Sequence, residues 1–285
     1  MKKFLSVLML CVLLLSVPFE AFAWSDGVDF PNVLVAAART KKKAPAKKKA
    51  VKKQSGPVVR LSRKQYEEFM KTCETGSLEK FTAKFEKENT SPNAVYYGEG
   101  GGTETLLTIA SMGYPANNVE IVKFLISKGA DVNKTIKEDN GVSIEVGTTA
   151  LMVATENAHL DVVKILLDAG ANVNTSTDNG WTALIRAFTI REVLWKDSRK
   201  VVEMLLKAGA NPNVQTKNDH MNVTPLLLAA ERNEKDTPEI IEMLLKAGAN
   251  AKTKRYDGER AIDYARQNTS LKGTKALKML EEASR

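Results

Sequence analysis

One five-residue phrase, Gly-Ala-x-x-Asn, constrains this chain of 285 residues more than anything else in it. It stands at Gly129-Ala130-Asp131-Val132-Asn133, Gly170-Ala171-Asn172-Val173-Asn174 and Gly209-Ala210-Asn211-Pro212-Asn213, and again at Gly248-Ala249-Asn250-Ala251-Lys252, where Lys replaces the final Asn. The glycines recur at steps of 41, 39 and 39 residues. A fixed step of about 20–50 residues marks a stacked array, in which each unit buries its apolar face only against its neighbours. Such an array offers a long outer surface and has no need of a catalytic pocket.

The unit from Gly147 to Asn174 shows the local structure. Thr149 can cap a helix, and it precedes a short apolar stripe through Leu151, Val153 and Ala154 that breaks at Asn157-Ala158-His159. A second stripe follows through Leu160, Val162, Val163, Ile165, Leu166 and Leu167, spaced to share one helical face. Gly170 stops that helix, since glycine takes the left-handed terminal conformation without steric cost. A polar turn then runs to Asp178-Asn179-Gly180, so the unit reads helix, tight turn, helix, turn.

This unit resembles an ankyrin repeat, whose pattern is Thr-Pro-Leu-His-x-Ala, a second helix, then Leu-Leu-x-x-Gly-Ala-x-x-Asn. The first-helix motif is matched at Thr105–Ala110, Thr149–Ala154, Thr182–Ala187 and Thr224–Ala229, and the second-helix motif at Ile121–Ile126, Val162–Leu167, Val201–Leu206 and Ile240–Leu245. Atypical end units run from Tyr66 to Asn93 and from Asp257 to Ala283. The resemblance implies an all-α solenoid of about six helix-turn-helix units with projecting β-hairpin-like turns and atypical end-capping repeats. Two departures stand out. The units run at ~40 residues where the family unit is about 33. The motif His is replaced by Thr108, Met152, Ile185 and Leu227, which puts the rigidity of the turns in question.

The first 60 residues read differently. Lys2-Lys3, the apolar run Phe4–Val17 and Ala21-Phe22-Ala23 form a signal-peptide pattern, predicting cleavage after residue 23 and no membrane span in the mature chain. Residues 24–60 carry ten Lys and Arg against two Asp, whereas 61–285 carry 30 basic against 31 acidic residues. The net charge of +8 therefore sits in a tail, predicted to be disordered, and the array at 61–285 is close to neutral. Lys41, Lys42, Lys43, Lys47, Lys48, Lys49, Lys52 and Lys53 either attach to an anionic envelope polymer or form a solvated spacer. An export signal argues against nucleic acid as their partner.

No constellation of catalytic or metal-binding residues is legible, and neither an enzyme nor a cofactor is expected. His159 lies between two helices, where the family pattern itself often has His, and His220 has no second His or Cys in range to complete a metal set. Gly98–Thr103 lacks the Lys-Ser/Thr of a phosphate loop. Cys73, the single cysteine left after cleavage, falls at an Ala-like core position.

Partner contacts are expected on the residues added beyond the family unit, because insertions map to loops that often share a face. These are Asn93–Thr103 with Tyr96 and Tyr97, Lys134–Val146 with Ile136 and Ile144 around a hairpin-like Asn140-Gly141, Val214–Val223 with His220 and Met221, and Thr189–Lys200 with Leu194 and Trp195. Trp195 ranks first, being a tryptophan outside the repeating core pattern. The resulting expectation is a monomeric, exported protein-binding module. It would regulate or protect another envelope protein in the periplasm, with a secreted effector acting on a host protein, or an envelope scaffold held by its tail, as alternatives.

Overall fold

The computed structural model describes residues 59–97, 103–113, 118–135, 146–189, 197–217 and 222–285. The expected signal peptide and residues 24–58 of the expected basic tail lie outside this set; Val59 and Arg60, expected at the end of the disordered tail, are instead paired with Val95. Six helix pairs follow one another: α1 (Arg63–Thr75) with α2 (Leu78–Lys87), α3 (Leu106–Met112) with α4 (Val119–Ser127), and α5 (Ala150–Glu156) with α6 (Leu160–Asp168). Then come α7 (Ala183–Arg186) with α8 (Ser198–Lys207), α9 (Pro225–Glu231) with α10 (Thr237–Lys246), and α11 (Ala261–Ala265) with α12 (Lys275–Ala283). First helices stack on first helices and second on second, in order along the chain. This is the all-α solenoid that the repeat implies.

Local chemistry sets each boundary. Thr105, Thr149, Thr182 and Thr224 cap the first helices of the inner units, each accepting a hydrogen bond from the backbone N–H three residues on. Second helices end on Gly129, Gly170, Gly209 and Gly248, whose φ values are 88°, 85°, 85° and 87°. The alanine after each glycine donates back into the last turn at 2.9 Å, closing the helix end. Ser198–Lys200, expected within an insertion, instead form the first turn of α8, where Ser198 is buried.

The core is one continuous cluster. A triplet recurs on the second helices: Ile121, Val122 and Leu125, then Val162, Val163 and Leu166, then Val201, Val202 and Leu205, then Ile240, Ile241 and Leu244, all buried. Each fully buried aliphatic side chain of this kind contributes roughly 1.5–3 kcal/mol of transfer free energy. The N-terminal unit closes the stack with aromatic rings instead: Phe81 packs on Phe69, Phe85 and Phe124, the last from the neighbouring unit. Cys73 is buried there, and burial pushes its thiol up to about 12, so it acts as a small apolar side chain.

The turns are held by side chains that the motif spelled out. Asn93 donates through Nδ2 to the carbonyl of Gly129 at 3.1 Å and accepts through Oδ1 from the N–H of Asp131 at 2.8 Å. Asn133 does the same to Gly170 and Asn172, Asn174 to Gly209 and Asn211, and Asn213 to Gly248 and Asn250. The final Asn of each phrase thus ties its own unit to the next. Lys252 stands where the ladder has no further Gly-Ala to reach, which explains the departure from the motif. Consecutive units, which lack the motif His, are coupled here by amides. Asn174→Ala removes two bonds and is expected to cost about 1–3 kcal/mol in urea unfolding. Lys164→Ala, at an exposed position of α6 off the ladder, would cost less if the ladder couples the units.

Candidate partner-binding face

The first turn is a short antiparallel hairpin, β1 (Val95–Tyr97) against β2 (Thr103–Thr105), with Tyr96 opposite Glu104. Residues 59–61 line the other edge of β1: the Val95 N–H donates to the Val59 carbonyl at 2.9 Å, and the Leu61 N–H to the Val95 carbonyl at 2.7 Å. Among the described residues, later turns hydrogen-bond to one another, Asp178 N–H to the Val146 carbonyl and Lys217 N–H to the Asn179 carbonyl. These bonds join the turns at Val146, Asp178-Asn179 and Lys217 in order along the chain.

Of the contact residues expected from sequence, Tyr96 and Tyr97 are described. Both are half-buried. Tyr96 stacks on Tyr66 of α1 with ring centroids 3.9 Å apart, and the guanidinium of Arg60 lies 4.5 Å over the ring of Tyr97. Ile136, Ile144, Leu194, Trp195, His220 and Met221 lie outside the described residues, as do Lys41, Lys42, Lys43, Lys47, Lys48, Lys49, Lys52 and Lys53. His159 sits at the start of α6, its Nε2 2.9 Å from the carbonyl of Met112 in the preceding unit, which ties two units together.

The structure adds two clusters of one design that the motif reading passed over. In the first, Arg186 of α7 lies 5.2 Å over the ring of Trp181 and donates to Glu156 of α5 at 3.0 Å. In the second, Arg255 lies 5.4 Å and 5.7 Å from the ring centroids of Tyr256 and Tyr264 and donates to Glu231 of α9 at 3.3 Å. The Tyr264 hydroxyl donates to Asp257 at 2.7 Å. Burial works against ionising Asp257, but that bond, with the N–H of Glu259 and the charge of Arg255, holds its carboxyl below the usual range. Both clusters use a Glu seven residues after the capping Thr of its unit, Thr149 to Glu156 and Thr224 to Glu231. That spacing is the signal the sequence carried. In each case an arginine reaches back from the next unit, fixing an aromatic ring at the turn edge. Tyr256 remains 50% exposed.

Among the described residues, no group of three or more His, Cys, Asp or Glu is placed to hold a metal ion, and no helix is long and apolar enough to cross a membrane.

A family model for ankyrin repeats in three copies matches residues 107–216 and again 193–283, together well over half of the chain. The human "Ankyrin repeat and KH domain-containing protein 1" is 43% identical over 82 residues, 28% of this chain and 3% of that protein. The rat "Ankyrin repeat and SAM domain-containing protein 6" is 38% identical over 92 residues, 32% of this chain and 9% of its own length. The bovine "Mitochondrial disaggregase" is 46% identical over 63 residues, 22% of this chain and 8% of its length. The chain thus spans less than a tenth of each of these relatives, and the likeness lies in the repeats.

Proposed function

The chain belongs to the ankyrin repeat family of protein–protein interaction modules, and we propose that it is exported to bind, and so regulate or protect, a protein of the bacterial envelope. The observation that carries the reading is the pair of Arg–aromatic–Glu clusters along the turn edge, at Trp181 and at Tyr256 with Tyr264. Arg, Trp and Tyr dominate the energetics of interfaces, and rings already fixed in place lose little entropy when a partner covers them. A standard interface takes about 800 Å² from each partner, which a stack of six helix pairs can supply along one edge. The family is generally non-enzymatic, in keeping with a role carried by the surface. The signal-peptide pattern at residues 1–23 supports export, and the lysine-rich run at 41–53 would hold the mature chain near anionic envelope polymers.

The test is affinity capture from an envelope extract with the full mature chain as bait, beside Tyr256→Ala and Trp195→Ala. One protein should be enriched by the wild type. Its retention should fall about tenfold or more with Tyr256→Ala, a ΔΔG near 1.4 kcal/mol, while the unfolding midpoint of the variant stays put. A partner held equally by wild type and both variants removes this face from the proposal. Recovery of the chain from culture medium, with none released by osmotic shock, removes the periplasmic site of action.

A further inference from the structure

Glu104 occupies the middle of β2, directly across from Tyr96. Cross-strand neighbours share one face of the pair. On that face α1 lays Tyr66 against Tyr96, the two rings within 14° of parallel. The Tyr66 hydroxyl is the group placed to donate to the Glu104 carboxylate. The other carboxylate oxygen, Oε2, is buried and meets no donor. A carboxylate withdrawn from water is usually compensated by a cation or by two or three donors. Here there is one phenol.

The groups around it bear this out element by element. From α1 comes Tyr66, and from β1 comes Tyr96; neither carries a positive charge. Arg60, on the segment flanking β1, is spent on the ring of Tyr97, whose side chain alternates to the opposite face of the strand. At the start of α3, Thr105 and Thr108 cap one another. Among the described residues, no Lys, Arg or His adds its charge to the surroundings of Glu104.

We propose that Glu104 makes the first turn of the array a proton-responsive latch: the neutral carboxyl lets the β1–β2 hairpin seat firmly on α1, and ionisation loosens it. Burial, opposed by the single bond from Tyr66, raises the carboxyl above the ordinary Glu range. The sign follows. Below the ordinary value of about 4.3 the group is protonated whether the hairpin is seated or free, and the seat is at its firmest. As the pH climbs from there through the raised value, only the free form ionises readily, and stability is lost. Above the window the loss is constant. Each unit by which the carboxyl is raised corresponds to a tenfold change in the ratio of seated to free hairpin. Glu68 and Glu88, paired with Lys84, are lowered and titrate in the opposite sense, so Glu104 is isolated only by difference.

Glu104→Gln keeps an acceptor for Tyr66 and cannot ionise. In the full chain, the thermal midpoint of this variant minus that of the wild type should be smallest near pH 4 and grow as the pH rises to 7. Tyr66→Phe, which takes away the single donor, should move the Glu104 carboxyl 13C titration of the intact protein upward. A midpoint difference that is flat or shrinking with pH overturns the latch. So does a wild-type Glu104 carboxyl titrating at or below the ordinary Glu value, a reading available even if the glutamine variant fails to fold.

Discussion

Gly180→Ala lowers unfolding stability by about 2–5 kcal/mol, the sum of a left-handed backbone cost and an overpacking cost, while Gly209→Ala costs only the first, about 1–2 kcal/mol. Both glycines have positive φ, 81° and 85°. They differ in what a methyl group would meet. A Cβ on Gly209 has nothing within 4 Å, but on Gly180 it would stand 2.8 Å from the carbonyl oxygen of Gln215 and 3.1 Å from Thr216 Cα. Those are backbone atoms of the next turn, and that turn is fastened here by the bond from Lys217 N–H to Asn179. The clash cannot be relieved by a rotamer change; the two turns must move apart. Urea unfolding of the two variants side by side decides the matter. Equal losses would mean that the backbone angle alone demands glycine at position 180 and that the turns are not closely stacked there.

Phe81→Ala is the second large effect, about 3–5 kcal/mol. The ring is fully buried, 5.2 Å from Phe69, 6.4 Å from Phe85 and 6.2 Å from Phe124. Three of these four belong to the N-terminal unit, and Phe124 belongs to α4 of the next. The substitution therefore empties the joint between the cap and the stack. In a linear array, stability is a sum of unit terms and nearest-neighbour terms, so the damage should be local. Hydrogen exchange should show protection lost in α1, α2 and the first hairpin, and kept from α8 through α12. Uniform loss of protection along the chain would contradict the linear picture and point to a single cooperative block.

How much of this was legible beforehand depends on the range of the interaction. Helix starts at Thr149 and Thr224 and stops at Gly170 and Gly209 are settled within four or five residues, and the motif spells them out. The buried triplets on the second helices follow from spacing along one helix. The purpose of the final Asn in each phrase was not legible, because its hydrogen-bond partners lie 35–39 residues away in the next unit. The same holds for Arg186 and Arg255, which look like ordinary surface cations until the neighbouring unit brings Glu156 and Glu231 to them. Glu104 reads as a polar strand residue; the group its carboxyl meets is Tyr66, 38 positions earlier in the chain.

The sequence alone determined the architecture: a period of about 40 residues with a capping Thr and a terminating Gly in each unit leaves stacking as the way to bury the apolar stripes. It also placed the positive charge outside the array. The tertiary structure decided which polar residues matter. An amide, a guanidinium or a carboxylate acquires its role from the partner it meets and the water it loses, and in a stack both are supplied by the adjacent unit, which no local pattern records.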